Sequence, residues 1–360
     1  MERIIHGGGT SLRQKGPQKI RQRGIVIGRL PVGEKNCITD VLGVQVGHVT
    51  LDYPLEEGEY ACTGVTAILP HEGNLFQQKV VGASYVLNGF GKTTGLVQVD
   101  ELGLIESPIM LTNTFAVPAV TQGTLEYMLE ANPEIGDTTG TINIVVGECN
   151  DSRLNSIRKL PIEPKHAREC ILNASSKVSA EGAVGAGKGM ICFGYKGGIG
   201  SSSRIVGKYS IGCLVLSNFG KSEEFQSERY KVNETISVPT FPKPADGSIM
   251  IVLATDAPLS SRQLKRLAKR CGIGLSRTGN HFSNGSGDVV IAFSPANKVE
   301  HFAGESVETR SQLRDDHPVM NELFQGAAEV TEEAILNSLS QAVTTEGRGG
   351  NTAYAYPFVN

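Results

Sequence analysis

Short runs of β-branched residues recur along the chain, with helical patterns between them. The runs lie at residues 44–49, 63–69, 142–146, 210–216, 249–254 and 288–293. Runs of this length and composition predict strands. Helical patterns lie at residues 121–131, 260–271 and 321–342, and the second is expected to end before Gly272. Because strands and helices do not alternate in a regular βαβ rhythm, the sequence predicts a layered α/β or α+β sandwich rather than a Rossmann sheet.

Glycine is unusually frequent in this chain. The 360 residues include 43 glycines, 6% aromatic residues and no tryptophan. Since the glycines are spread through apolar segments rather than collected in linkers, they indicate tight turns and close backbone contacts, not disorder. A chain of this length folds as one large domain or two intimate halves, and we expect a single domain over residues 1–360.

The charge is nearly balanced. The formal net charge is -3, from 34 basic and 37 acidic residues, which argues against a nucleic-acid partner. Basic residues gather at Arg13, Lys15, Lys19, Arg21 and Arg23. No apolar segment accompanies them as in a signal peptide, so they predict a solvated arm. No apolar stretch approaches the ~20 residues that cross a bilayer. We therefore expect no membrane contact, a cytoplasmic location, and a small molecule or peptide as partner.

Cysteine, histidine and one glycine motif bear on cofactors. The seven cysteines are widely spaced without a C-x-x-C pair, and the histidines form no H-x-H or H-E-x-x-H pair. These patterns predict buried thiols in a reducing compartment and no metal site. Residues 182–188 match the spacing of a phosphate-binding loop, but Gly189 stands where a hydroxyl must hold Mg²⁺. Close strand–helix packing explains the motif better, and no cofactor is expected.

Gly247 and Ser248 stand directly ahead of an apolar strand run. A serine Oγ needs a base, and cutting the preceding bond supplies one, because the freed α-amine accepts the proton. The α-amine's unperturbed pKa of ~7.7 to 8.0 suits this task. Glycine before the serine leaves its carbonyl unshielded and tolerates strain. An ordinary turn into a buried strand also fits, since Pro242, Pro244 and Asp246 precede the pair, and on local spacing alone it is commoner.

The segment before this pair is a break in composition. Residues 221–247 are charged and then proline-rich, as expected of an exposed processing loop. A conventional Ser-His-Asp hydrolase is an alternative, because His281 lies beside the small-residue segment 283–288. No G-x-S-x-G motif accompanies that histidine, so a self-processed serine ranks higher.

Five segments carry longer motifs in a fixed order. They are Thr-Asp-Val-Leu-Gly-Val-Gln-Val-Gly-His at 39–48, Val-Val-Gly-Glu-Cys-Asn-Asp at 145–151, Leu-Ser-Asn-Phe-Gly at 216–220, Ser-Ile-Met-Ile-Val-Leu-Ala-Thr-Asp-Ala-Pro-Leu at 248–259 and Asn-Gly-Ser-Gly-Asp at 284–288. Together they resemble the self-cleaving aminopeptidase family that includes L-aminopeptidase/D-esterases, D-aminopeptidases and β-peptidyl aminopeptidases. The likeness continues in register to residues 331–337.

The resemblance implies a fold and a processing event. The implied fold is a four-layer α-β-β-α sandwich, similar to N-terminal nucleophile hydrolases but differently connected. The precursor would cut itself between Gly247 and Ser248, and the chains 1–247 and 248–360 would stay associated. The resemblance also implies a homo-oligomer, often a tetramer of processed pairs.

Catalytic roles follow from the same resemblance. Ser248 would be the nucleophile and the new N-terminus, with no cofactor needed. Ser286 and Asp288 match a serine and an acidic residue that hydrogen-bond to and orient the nucleophile's surroundings, and Asn218 matches an amide that stabilises the oxyanion. Without the resemblance, each of these positions is typical of a glycine-flanked turn at a strand end.

Substrate binding is implied at two further positions. Glu148 matches an acidic residue near the substrate's free amine, whereas Asn150 stands where characterised relatives often carry an aromatic residue. The implied activity is an N-terminal-serine aminopeptidase that acts on short peptides, amides or esters through an acyl-enzyme. An amidase or lactam-type hydrolase, and a binding or assembly protein with little peptidase turnover, stay open. So does the preference for L-α, D-α or β residues.

Overall fold

The computed structural model describes residues 16–230 and 247–358. The strands are β1 (Gln45–Pro54), β2 (Tyr60–Leu69), β3 (Gln78–Gly89), β4 (Leu104–Ile105), β5 (Ile109–Asn113), β6 (Val145–Cys149), β7 (Ile191–Cys192), β8 (Tyr195–Lys196), β9 (Gly198–Val206), β10 (Tyr209–Asn218), β11 (Ser248–Thr255), β12 (Gly287–Glu300), β13 (Thr345–Glu346) and β14 (Thr352–Ala353). The α-helices are α1 (Leu96–Leu102), α2 (Val117–Ala131), α3 (Pro164–Leu172), α4 (Ser261–Thr278) and α5 (Val319–Ser340).

Two sheets form the centre of the fold. A four-stranded sheet has the order β1-β2-β5-β6, and a six-stranded sheet has the order β4-β3-β12-β11-β10-β9. Most neighbours are antiparallel, but β5 pairs with β6 and β11 pairs with β12 in parallel. Strands β11 and β12 therefore lie between strands that precede residue 247 in the chain.

Side chains alternate between two faces along the central strand β11. Ile249, Ile251 and Leu253 pack in the core that β11 shares with helices α4 and α5. Met250 and Val252 pack in the core between the two sheets. A third core lies between the four-stranded sheet and helices α2 and α3. The layers follow the order helix, sheet, sheet, helix, which confirms the expected α-β-β-α sandwich.

Two element boundaries differ from the sequence prediction. The strand predicted at 142–146 begins only at Val145, because the Asn143 amide N–H donates to the Glu106 side chain (2.9 Å) instead of a neighbouring strand. Helix α4 does not stop before Gly272 but continues to Thr278. A Cβ on Gly274 would lie 2.8 Å from the Glu332 amide nitrogen of α5. The glycines of α4 thus allow helices to pack closely rather than end the helix.

The basic residues near the start are not a solvated arm where the structure describes them. Lys19 pairs with Glu181 (2.6 Å) and Arg21 pairs with Glu333 (2.9 Å), and both carboxylates are buried. The prediction of a solvated arm is wrong at these two positions, because buried carboxylates draw the cations against the protein. Arg13 and Lys15, and residues 231–246 of the predicted processing loop, lie outside the described residues.

The predictions about thiols and phosphate loops are tested by packing. All seven cysteines are buried and unpaired. Residues 182–188 pack by backbone against β2, where a Cβ on Gly64 would overlap the Gly185 carbonyl.

Within residues 16–230 and 247–358, no group of three or more His, Cys, Asp or Glu side chains could hold a metal ion. No helix in these ranges is both long and apolar enough to span a membrane.

One glycine contact yields a stability prediction. Gly200 of β9 lies so close to α5 that a Cβ there would overlap the Ala334 carbonyl oxygen and lie 2.6 Å from the Ser338 amide nitrogen. Because backbone atoms cannot move aside cheaply, we expect Gly200→Ala to lower the free energy of unfolding by about 1–3 kcal/mol. Urea unfolding measures this change. Gly304→Ala is the matched control, since nothing lies within 4 Å of a Cβ at that position. Equal midpoints for the two variants would contradict the prediction.

Candidate active site

Ser248 is the first residue of β11. It lies between two neighbours of the six-stranded sheet, with Asn218 of β10 and Gly287 of β12 as its register partners. Because side chains alternate along a strand, Ser248 shares a face with Met250, which points into the core between the sheets. The Gly287 amide N–H donates to Ser248 Oγ (3.2 Å). The predicted nucleophile is thus held at one end of the core between the two sheets, only 7% exposed.

Gly247 is required by close packing. A Cβ at this position would overlap the Asn218 carbonyl oxygen and the Phe219 Cα atom. Residue 247 therefore has to be glycine for the chain to enter β11 beside β10. The unshielded carbonyl expected from the sequence is a second, compatible reason for a glycine at this position.

Asn218, the predicted oxyanion donor, has its side-chain amide held from two sides. Its Oδ1 accepts from the Ile191 amide N–H (2.9 Å), and its Nδ2 donates to the Asn150 carbonyl oxygen (2.9 Å). An N–H needs an acceptor and a carbonyl needs a donor, so these contacts fix which end of the amide is which. Nδ2 carries a second hydrogen, which these two contacts do not use.

Ser286 and Asp288 form a buried pair. Ser286 Oγ donates to Asp288 Oδ1 (2.7 Å), and both residues are buried. Burial raises the pKa of Asp288 to about 6, and the hydrogen bond from Ser286 partly opposes that rise. Asp288 Oδ2 is buried without a hydrogen-bond partner among the described residues. The observed hydrogen bond to Ser248 Oγ comes from Gly287, the residue between the two.

Asn88 shapes the loop that carries this pair, and sequence reasoning missed it. Its Nδ2 lies within hydrogen-bond distance of the carbonyl oxygens of Ser283 (3.1 Å), Asn284 (3.2 Å) and Ser286, so its two hydrogens are shared among three acceptors. Asn88 pairs with Asp288 in the β3–β12 register, which shifts at the next residue. No local motif marks Asn88, because its partners are about 200 residues away in the chain.

Glu148 lies on β6 and is 3% exposed. Its Oε1 accepts from the Lys92 amide N–H (2.9 Å), and its Oε2 accepts from the Thr114 hydroxyl. The neighbouring Gly91 lies between this carboxylate and Gly287, since a Cβ there would be 3.8 Å from Glu148 Oε1 and 3.9 Å from Gly287 Cα. Because Gly287 is also the register partner of Ser248, Glu148 and Ser248 lie at the same end of the core between the sheets. The segment 90–92 was not singled out from the sequence.

Asn150 contacts Asn218 through its backbone rather than through its side chain. Its side chain is exposed, with Oδ1 accepting from the Ser152 amide N–H (2.9 Å), while its carbonyl holds Asn218. The next residue, Asp151, is fully buried, and burial raises the pKa of its carboxyl to about 7. His281 is a surface residue 3.7 Å from Glu224, so the described structure assembles no conventional Ser-His-Asp triad around it.

Comparisons with known proteins identify the family of the chain. The model of peptidase family S58 matches residues 36–353. The chain belongs to peptidase family S58. It is 38% identical to a β-peptidyl aminopeptidase, BapA, of Sphingosinicella microcystinivorans, over 95% of this chain and 90% of that protein.

Solved structures of the family share the fold. The PH0078 protein of Pyrococcus horikoshii superposes with a TM-score of 0.87 at 48% identity, covering 94% of this chain and 96% of that one. An L-aminopeptidase D-Ala-esterase/amidase of Ochrobactrum anthropi, described as a prototype serine aminopeptidase with a variant Ntn hydrolase fold, gives 0.84 at 31% identity, covering 94% and 95%. The S58 chain described here is accordingly a hydrolase, an aminopeptidase of the serine type.

Proposed function

We propose that this S58 chain cuts itself between Gly247 and Ser248 and then releases the N-terminal residue of short peptides, amides or esters that carry a free amine. The observation that carries the proposal is the position of Ser248 at the start of β11, between Asn218 and Gly287. Two requirements of acyl transfer, a nucleophile and a hydrogen-bond donor for the oxyanion, are thereby met on neighbouring strands of one sheet.

Self-cleavage begins when Ser248 Oγ attacks the Gly247 carbonyl carbon. The C–N bond breaks as the serine nitrogen takes a proton, which leaves an ester between Gly247 and Ser248 Oγ. Water hydrolyses this ester, giving a carboxylate on Gly247 and a free α-amine on Ser248. The two chains stay together, because β11 and β12 of the second chain lie between β3 and β10 of the first in one sheet.

A substrate then repeats the chemistry at the same hydroxyl. Ser248 Oγ attacks the first carbonyl while its proton passes to the Ser248 α-amine or to the Ser286–Asp288 pair. Asn218 Nδ2 donates to the oxyanion, the leaving amine is protonated, and water releases the acyl group. Glu148 binds the substrate's ammonium, because a buried carboxylate offsets the cost of taking that charge out of water.

The self-cleavage test needs only the purified protein. A denaturing gel with intact-mass measurement is expected to show chains 1–247 and 248–360 in equal amounts, and native chromatography is expected to show one species. A single uncut chain after long incubation would overturn the proposal. Hydrolysis of aminoacyl p-nitroanilides with L-α, D-α and β residues then assigns the preferred residue, and N-acetylated versions are expected to be inert because they lack the ammonium that Glu148 binds.

Amidase activity is a second candidate at the same serine, since a relative is described as an esterase/amidase. Product analysis on amino-acid amides and on dipeptides with the same first residue distinguishes the two substrate classes. We also propose a homo-oligomer, a tetramer of processed pairs, as the family resemblance implies. Light scattering during size-exclusion chromatography is expected to give four times the mass of one processed pair, and the mass of a single pair would contradict it.

The raised pKa of Asp288 predicts a pH profile. If the ionised carboxylate helps to accept the Ser248 proton, kcat/KM falls as pH drops through about 6, where this group becomes protonated. Asp288→Asn is expected to lower kcat/KM and remove that acidic limb. The control is Asp256→Asn. Asp256 directly follows the far end of β11, and an asparagine there keeps a side-chain oxygen that accepts from the Ser210 amide N–H. If the kcat/KM profile of Asp288→Asn still falls at low pH with a pKa of ~7.7 to 8.0, the α-amine alone accepts the Ser248 proton.

A further inference from the structure

Lys196 carries a fully buried ammonium group next to the candidate active site. Its Nζ donates to three backbone carbonyl oxygens, those of Gly187, Met190 and Gly197, each at 2.8 Å. A lysine ammonium has three hydrogens, so its hydrogen-bonding capacity is filled. No carboxylate pairs with Lys196 among the ion pairs of the described residues. Burial lowers the pKa of Lys196 to about 7.

A buried cation of this kind is costly for a fold. An apolar side chain of similar length avoids the desolvation that a buried ammonium requires, and such replacements are often neutral or stabilising elsewhere. Hydrogen bonds to three neutral carbonyls stabilise the ammonium less than an ion pair with a carboxylate does. We therefore expect Lys196 to have a role other than packing.

One peptide group connects Lys196 to Asn218. The Met190 carbonyl accepts from Lys196 Nζ (2.8 Å), and the amide N–H of the same peptide, on Ile191, donates to Asn218 Oδ1 (2.9 Å). The C=O and N–H of a trans peptide point in opposite directions. The ammonium, the peptide and the side-chain amide thus form a continuous chain of hydrogen bonds.

Such a chain acts on its last member in two ways. The ammonium polarises the Met190–Ile191 peptide, which makes the Ile191 N–H a stronger donor. That donor in turn polarises the Asn218 amide. Successive hydrogen bonds strengthen one another in this way in a low-dielectric interior. The carbonyl contacts on Gly187 and Gly197 fix the turn that carries Met190. The amide of Asn218 is therefore both oriented and made a better donor at Nδ2.

We propose that Lys196 is a positioning residue for the oxyanion donor, acting on Asn218 through the Met190–Ile191 peptide. This inference rests on the role proposed above for Asn218. Lys196 does not touch substrate, since its side chain is fully buried and all three of its hydrogens are used within the protein. Its effect belongs to the transition state, where negative charge develops on the oxyanion, and should appear in kcat rather than in KM.

A double-mutant cycle on the processed enzyme tests the inference, with an aminoacyl p-nitroanilide as substrate. Lys196→Met is expected to lower kcat by about 10- to 100-fold with KM changed less than about twofold, because the donor loses its alignment. In an Asn218→Ala background, the same replacement is expected to change kcat by less than about twofold, because the relay has lost its last member. Equal losses in both backgrounds would overturn the inference.

The controls separate the possible failures. Lys188→Met removes a lysine from the same turn whose Nζ pairs with Asp52 (2.7 Å), and it is expected to leave kcat unchanged. If Asn218→Ala itself leaves kcat unchanged, the proposed oxyanion role fails. If Asn218→Ala lowers kcat and Lys196→Met adds its full loss, only the present inference fails.

Folding of the variants is measured by circular dichroism and thermal unfolding. Lys196→Gln is the second variant, because its amide keeps N–H donors for the Met190 carbonyl. Any loss of kcat in Lys196→Gln must also disappear in the Asn218→Ala background. If neither Lys196→Met nor Lys196→Gln folds, Lys196 serves stability alone and the inference is overturned.

Discussion

Ser248→Ala is expected to yield an uncut chain with kcat lowered by about 10⁵- to 10⁶-fold, since removing the serine nucleophile of a hydrolase abolishes covalent catalysis. The methyl group of alanine cannot attack the Gly247 carbonyl, so neither the internal ester nor the free α-amine forms. Both activities therefore vanish together. The intact mass and the rate of p-nitroanilide release measure the two losses.

The control for this variant is a serine in the same sheet. Ser84 lies on β3 and is buried like Ser248, but it is remote from the Gly247–Ser248 bond in the strand register. Ser84→Ala is expected to be cut normally and to keep its kcat. Processing or turnover in Ser248→Ala at the wild-type rate would contradict the whole scheme.

Glu333→Gln is expected to lower the free energy of unfolding by about 3 kcal/mol, because breaking a buried ion-pair network is strongly destabilising. Among the described residues, Arg204 would keep only Glu329 as a carboxylate partner, with Arg204 Nε 3.1 Å from Glu329 Oε2. Glu333 is fully buried on α5. Its Oε2 lies 2.6 Å from Arg204 Nη2 and 2.9 Å from Arg21 Nε, and its Oε1 accepts from Asn36 Nδ2 (2.6 Å). Arg204 is also fully buried, so its charge has no access to water.

Urea unfolding of wild type and variant measures this change. The matched control is Glu163→Gln, whose partner Lys165 lies 2.9 Å away at the surface, with both side chains more than half exposed. That variant is expected to unfold at the wild-type midpoint, because exposed pairs are screened by solvent. A Glu333→Gln midpoint equal to that of Glu163→Gln would show that the buried network contributes no stability.

Much of the layered fold could be predicted from local pattern. The strand at 249–254 and its alternation were predictable, because β-branched runs bounded by turn residues define strands by themselves. The end of α4 could not be predicted, since Gly272 is locally a stop signal and its true reason is a close approach of chain segments that are distant in sequence. Lys19 and Arg21 were predicted to be solvated for the same reason, since their carboxylate partners lie far along the chain.

The candidate site, too, could be predicted only in part from the sequence. Ser248, Asn218, Glu148, Ser286 and Asp288 stand in motifs, and the resemblance to the aminopeptidase family predicted a role for each. Their supporting groups were not identified from the sequence. The lysine that reaches Asn218 acts through a peptide bond, and its contact is with backbone carbonyls that every residue possesses. Residue type at Met190 or Ile191 carries no signal of such a role.

The sequence by itself determined the family and, with it, the serine aminopeptidase activity, because motifs occur along the chain in a fixed order. It also determined the alternation of strands and helices, which depends on neighbouring residues. Only the tertiary structure decided that Ser248 enters its strand between Asn218 and Gly287, that Asn218 is held from two sides, and that a buried ammonium stands behind it. These contacts join residues far apart in the chain through backbone groups, and backbone groups are the same at every position.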